Sequence, residues 1–136
     1  DHVLVGPGGV FCISTKSQRG IFSGTADGLR YNGQPCDFAK ETMRQTMDLK
    51  DRLGAILGRE VPFLQPVLAV PFGFTQADAC GGKVWLVHQE NILDRLSAER
   101  GPRRLSGEQV KRIAKAMEML RTTAAELYQR PAASPA

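Results

Sequence analysis

The chain has 136 residues, the size of one ordinary domain, and a 42% hydrophobic content that suits a globular protein with a real core. No apolar run approaches the length of a membrane span, which excludes a helical membrane anchor within these residues. The net charge of +4 is a mild basic bias, compatible with nucleic acid without demanding it.

Residues 2–5 and 10–15 read as two short apolar strands joined by the turn Gly6-Pro7-Gly8-Gly9. That hairpin carries Asp1 at its start and Lys16 at its exit. Residues 17–20 are polar and turn-like. Residues 21–23 and 29–31 fit a small hairpin around the stretch 24–28, and Asn32-Gly33 marks a further tight turn. Pro35 then precedes a helix expected over 37–57. Ala39, Met43, Met47, Leu53 and Leu57 fall near one face of it, and Arg44, Asp48 and Arg52 stand at i,i+4 spacings with opposite signs. Gly54 and Gly58 weaken its end and stop it.

Pro66 interrupts the apolar stretch 63–70, so the next strand is placed at 67–70. The loop 71–83 is rich in glycine and small residues. Residues 84–88 form another buried-looking strand, and 92–99 a short helix broken by Gly101-Pro102. Ser106 with Gln109 has the form of a capping box. Val110, Ile113, Ala114, Met117, Leu120, Ala124 and Leu127 then make a helical apolar stripe. The small-residue tail from Pro131 has no core-forming capacity and reads as disordered. Strands bracketed by amphipathic helices in this order predict an α/β layer structure with a mixed sheet.

No initiator methionine, signal peptide or targeting pattern opens the chain, and it begins inside an expected strand, as a piece of a longer protein with further domains would. Cys12, Cys36 and Cys80 are an odd number without a C-x-x-C pair. They argue for a reducing, cytoplasmic compartment and read as core or surface residues rather than nucleophiles. With His2 and His88 as the only histidines, a Cys/His zinc site has too few ligands.

The chemistry-bearing pair is Asp1 and Lys16. A metal-dependent phosphodiesterase needs an acid to hold a divalent cation and a lysine beside it to orient water or neutralise phosphate. A terminal acid and a lysine at a strand exit are also common without any such role. His88, at a strand end, reads as a hydrogen-bonded structural histidine before an acid/base. His2 alternates away from Asp1 and reads as structural. Gly6-Pro7-Gly8-Gly9 lacks the lysine and following helix of a phosphate loop, so it reads as a turn. Arg103-Arg104 with Lys111, Arg112 and Lys115 form a basic cluster read as a solvated face rather than a phosphate track. Trp85 reads as core rather than a base-stacking platform.

The string from Asp1 to Lys16 has an Asp-His pair, an apolar strand, Gly-Pro-x-Gly, a second apolar strand and a final Ser14-x-Lys16, followed by Gly20. It closely resembles the nuclease-related domain (NERD) family. The likeness continues more loosely through Arg44-Gln45, residues 66–70 and 84–87, and the Ser106-capped helix. The resemblance implies a restriction-endonuclease-like α/β fold, a mixed β-sheet flanked by α-helices. It implies one such domain over residues 1–129, without the family's N-terminal helix, and a disordered tail at 130–136.

It also implies a nuclease role in DNA processing, with Mg²⁺ or Mn²⁺ as cofactor, DNA as partner, RNA as a further candidate, and no membrane. Carried over by position, Asp1 is the metal-binding acid and Lys16 the catalytic lysine. Ser14 stands at the family's acidic position, and the family's other acid lies on a helix upstream of this chain. Serine for glutamate removes a full negative charge, so Ser14 can support a bound water but cannot balance the cation. Glu41, one turn into the long helix, is the nearest candidate for a migrated carboxylate and fits equally well as a solvated residue. Two readings stay open: phosphodiester hydrolysis, and a catalytically inactive module that binds nucleic acid or a partner domain.

Overall fold

Apolar residues at both odd and even positions of 10–14 demand a core on each side of that strand, and the fold supplies two. The computed structural model describes residues 2–97 and 104–133, with side chains up to residue 121. Strand β1 (His2–Gly6) pairs antiparallel with β2 (Gly9–Thr15) across the tight turn Pro7-Gly8, His2 lying opposite Ile13. Strands β3 (Ile21–Thr25), β4 (Gly28–Tyr31) and β5 (Gln34–Cys36) form an antiparallel meander. Its second turn is Asn32-Gly33, with φ of 50° and 83°, the left-handed pair that matches strand twist.

The long helix α1 (Phe38–Leu57) ends at Gly58. After it come β6 (Leu64–Ala69), β7 (Phe74–Thr75), β8 (Ala79–Cys80) and β9 (Val84–Val87). The last elements are α2 (Ile92–Arg95) and α3 (Gly107–Ala133). The main sheet is five-stranded in the order β1-β2-β6-β9-β8, and a four-stranded sheet has the order β5-β4-β3-β7. Strands β2, β6 and β9 run parallel, while β1 and β8 are antiparallel edges. The architecture is α/β with mixed sheets and helices.

Alternation along β2 divides the core. Val10 and Cys12 join Leu53 of α1, Leu64, and Ile113 and Ala116 of α3 on one face. Phe11 and Ile13 join Val67, Ala69, Val87, Ile92 and Leu96 on the other. Leu68, Val70 and Leu86 meet Phe22 and Leu29 from the smaller sheet, with Ala39 of α1. All six residues of β6 are buried, as a central parallel strand requires.

Several elements differ from expectation. Strand β6 starts at Leu64, with Pro66 inside it, rather than at Val67. The Gln65 amide donates to both Pro66 O (2.9 Å) and Lys83 O (2.8 Å), so Pro66 faces the β9 side. Pairing with β9 begins only at Val67, so no ladder bond is lost to the missing N–H. Strands β7 and β8 lie in the stretch expected as loop, and β5 forms where no element was expected. Strand β8 runs so close to β3 that a Cβ on Gly24 would lie 2.0 Å from Ala79 O.

The buried face of α1 is Ala39, Thr42, Thr46 and Leu53, and Met47 is 47% exposed. Asp48 and Arg52 pair at 3.3 Å as their spacing predicts. The capping box forms: Ser106 N–H donates to Gln109 Oε1 (2.8 Å) and Gln109 N–H to Ser106 Oγ (3.2 Å). Helix α3 buries Ile113 and Ala116, and the expected Ala114 is exposed. Ala124 and Leu127 of the expected stripe lie beyond the described side chains, and Gly101-Pro102 lies outside the described residues. Among the described residues no helix is long and apolar enough to cross a membrane.

Candidate functional site

Helix α1 lies against the face of β2 that carries the even-numbered residues, and the two run in opposite senses. From Val10 to Lys16 the strand advances about 20 Å and from Leu53 back to Glu41 the helix about 18 Å, so the two elements stay in contact along that length. Val10 packs with Leu53, Cys12 and Thr46 line one cleft, Ser14 meets Gln45, and Lys16 meets Glu41 and Phe38. Thr42 and Thr46 tolerate the buried face because their hydroxyls donate to the carbonyls of Phe38 and Thr42, each at 2.8 Å.

Ser14 is 5% exposed, and its hydroxyl donates to Gln45 Oε1 at 3.2 Å. The Lys16 backbone N–H donates to Ala69 O (2.9 Å), carrying the β2–β6 pairing one residue past the strand. Its Nζ lies 3.9 Å from Glu41 Oε2 and 4.7 Å from the Phe38 ring centroid. Both ends of that ion pair keep solvent access, at 28% and 45% exposed, so screening leaves it a small stabilising role. Asp1 lies outside the described residues. His2, read as turned away, borders the same 250 Å³ cleft as Ser14, Thr42 and Gln45.

The other candidates have structural roles. His88 Nδ1 accepts the Glu90 N–H (3.1 Å) while the His88 N–H donates to Asn91 Oδ1 (2.9 Å), closing a turn after β9. Trp85 packs against Phe11 with centroids 5.9 Å apart and rings tilted by 44°, and lies beneath the Arg95 guanidinium at 4.6 Å. Arg112 forms a two-pronged pair with Glu60, both contacts at 2.9 Å, while Arg103 lies outside the described residues. All three cysteines are free. Burial pushes the Cys12 thiol up to about 11, partly offset by the Thr46 hydrogen bond, and burial likewise pushes Cys80 up to about 11. Neither is a thiolate nucleophile near neutral pH.

A Mg²⁺ or Mn²⁺ ion asks for hard oxygen donors with one or two carboxylates among them. Among the described residues no group of three acids, histidines or cysteines is placed to hold a metal. At the strand position that would supply an acid, the hydroxyl is already given to a neutral amide. The described residues therefore do not fit a divalent cation by themselves.

Sequence reasoning missed Gln45 as the partner of Ser14 and Phe38 as the aromatic beneath Lys16. The available signal was the i,i+4 spacing of Glu41 and Gln45, which puts both on one helix face.

A family model described as a nuclease-related domain matches residues 1–71, just over half of the 136. The matched range contains the β1–β2 hairpin, all of α1 and β6, and ends before β9 and α3. No curated protein and no solved structure matches the chain.

Proposed function

The chain belongs to the nuclease-related domain family, and from that membership we propose a nuclease-type DNA-processing domain that grips the phosphodiester backbone, its own hydrolysis disabled at Ser14. The single observation that carries this reading is the buried Ser14 hydroxyl bonded to Gln45 Oε1. A neutral pair there leaves a Mg²⁺ or Mn²⁺ ion without charge balance from the strand.

The groups left at the mouth suit an anion. Lys16 offers an ammonium that is partly solvent-exposed, beside the half-exposed Glu41 carboxylate and over the Phe38 ring. Gln45, its oxygen taken by Ser14, keeps an NH₂ group able to donate to a phosphate oxygen. The net charge of +4 adds a general attraction for a polyanion. The test is binding of labelled DNA across a salt series. Affinity should fall as salt rises, and Lys16→Ala should weaken it and lower the salt slope by about one. Binding insensitive to salt would overturn the proposal.

A second reading keeps metal-dependent phosphodiester hydrolysis. Its support is the Glu41 carboxylate 3.9 Å from Lys16, one turn before Gln45. It needs Asp1 as a second acid beside Glu41, and it requires a cleavage activity that Glu41→Gln and Lys16→Ala both abolish.

A further inference from the structure

Residues 17–20 and 71–75 meet just past the carboxyl ends of β2 and β6. Gly73 N–H donates to Val70 O (3.1 Å), Phe74 N–H to Gly20 O (2.8 Å), and the Tyr31 hydroxyl to Arg19 O. Strand β7 pairs in parallel with β3, putting Phe74 beside Ile21 in register. This edge carries the wrong residues for a solvent surface. Phe74 is 74% exposed, Phe72 56% and Ile21 44%. Their neighbours Phe22 and Val70 are wholly buried, so the segment has spent its core-directed side chains and still presents two aromatic rings outward.

The chemistry around the rings narrows what they receive. The Arg19 guanidinium sits 5.9 Å from the Phe72 ring centroid, and His88 and Gln89 line the same 580 Å³ depression. Glu90 is the one acid among the described residues that line it. The crevice outside the carboxyl ends of parallel strands is where open α/β sheets bind ligands. Lys16 stands at that edge, three residues before Arg19. A cation laid on an aromatic face, a second exposed ring and an amide able to donate and accept match a nucleobase stacked between side chains. A paired duplex hides its base faces. An unpaired strand offers them.

We propose that Phe72 and Phe74, with Arg19, form a stacking platform for unpaired bases of a single-stranded nucleic acid whose phosphates reach Lys16. This rests on the phosphate-binding reading above and adds the substrate class. The arrangement selects frayed ends, gaps or single strands over intact duplex, without reading sequence.

The experiment compares a short oligothymidylate, an abasic strand of equal length and charge, and a duplex, each binding the labelled chain in solution. Oligothymidylate should bind tighter than the abasic strand. Phe72→Ala and Phe74→Ala should each weaken its binding between about fivefold and a hundredfold. Phe72→Tyr, which keeps the ring, should bind as wild type. The abasic strand should bind wild type and variants alike, which also checks that the variants fold. Equal binding of thymidylate and abasic strands, or alanine variants that leave thymidylate binding intact, overturns the platform alone. Loss of every strand in wild type overturns the phosphate-binding reading and the platform with it.

Discussion

The Ser14 hydroxyl donates to Gln45 Oε1 across 3.2 Å, joining the open end of the nuclease-type hairpin to the second turn of α1. The bond is neutral, half buried, and spans 31 residues of chain. It makes Ser14 a structural tie between strand and helix rather than an idle remnant of a metal ligand. Removing it by Ser14→Ala should cost about 1 kcal/mol, because Gln45 is exposed and regains water. That loss corresponds to a melting temperature lower by about 3–5 °C. Thermal unfolding followed by circular dichroism checks it.

The Lys16–Glu41 pair sets how much positive charge the site offers an anion. At 3.9 Å and partly exposed on both sides it adds little to stability, so Glu41→Gln should change the unfolding free energy by less than about 0.5 kcal/mol. The same change removes a negative charge beside any bound phosphate. DNA affinity at low salt should therefore rise about two- to fivefold, an advantage that fades as salt screens it. Urea titration and binding curves on the two proteins read both effects.

The buried thiols make the fold sensitive to alkali. Burial raises Cys12 and Cys80 to about 11, against 9.0 for an unburied thiol. Below pH 9 both states hold the protons and the stabilisation is complete. Between pH 9 and 11 the unfolded chain loses them first, so stability falls as pH rises. The loss approaches about 2–3 kcal/mol for each thiol by the top of that window. Melting temperatures from pH 8 upward measure it. A thiol reagent at neutral pH should modify Cys36 promptly, and Cys12 and Cys80 only on unfolding.

The two sheets meet closely at Gly24. A methyl group there would lie 2.0 Å from Ala79 O, a backbone atom that can move only with β8. Gly24→Ala should cost at least about 3 kcal/mol and loosen β7 and β8 from β3. Hydrogen exchange at Gly81, whose N–H donates to Thr25 O (2.8 Å), reports that loosening directly.

What could be read from sequence was what local chemistry dictates. The β1–β2 hairpin follows from a glycine-punctuated turn, α1 from its spacing, and the start of α3 from Ser106 and Gln109. Strands β5, β7 and β8 could not be read, because two- or three-residue segments become strands only through a partner elsewhere in the chain. Pro66 argued against a strand that tertiary pairing supports, since the missing N–H falls where the β9 ladder has not begun. Met47 drew the helix face wrongly because Thr42 and Thr46 bury polar letters by bonding their own helix. The site divided the same way. Ser14 and Lys16 were visible as a motif, while Gln45 and Phe38 enter only when helix and strand are laid together.

The most direct test of the central claim is cleavage of DNA in Mg²⁺ or Mn²⁺ by wild type, Lys16→Ala and Ser14→Glu, with binding measured on the same preparations. Binding that falls with salt and with Lys16→Ala, without strand scission by wild type, is the predicted result. Scission by wild type that disappears in Lys16→Ala would contradict it, and would place hydrolysis back on this hairpin despite Ser14.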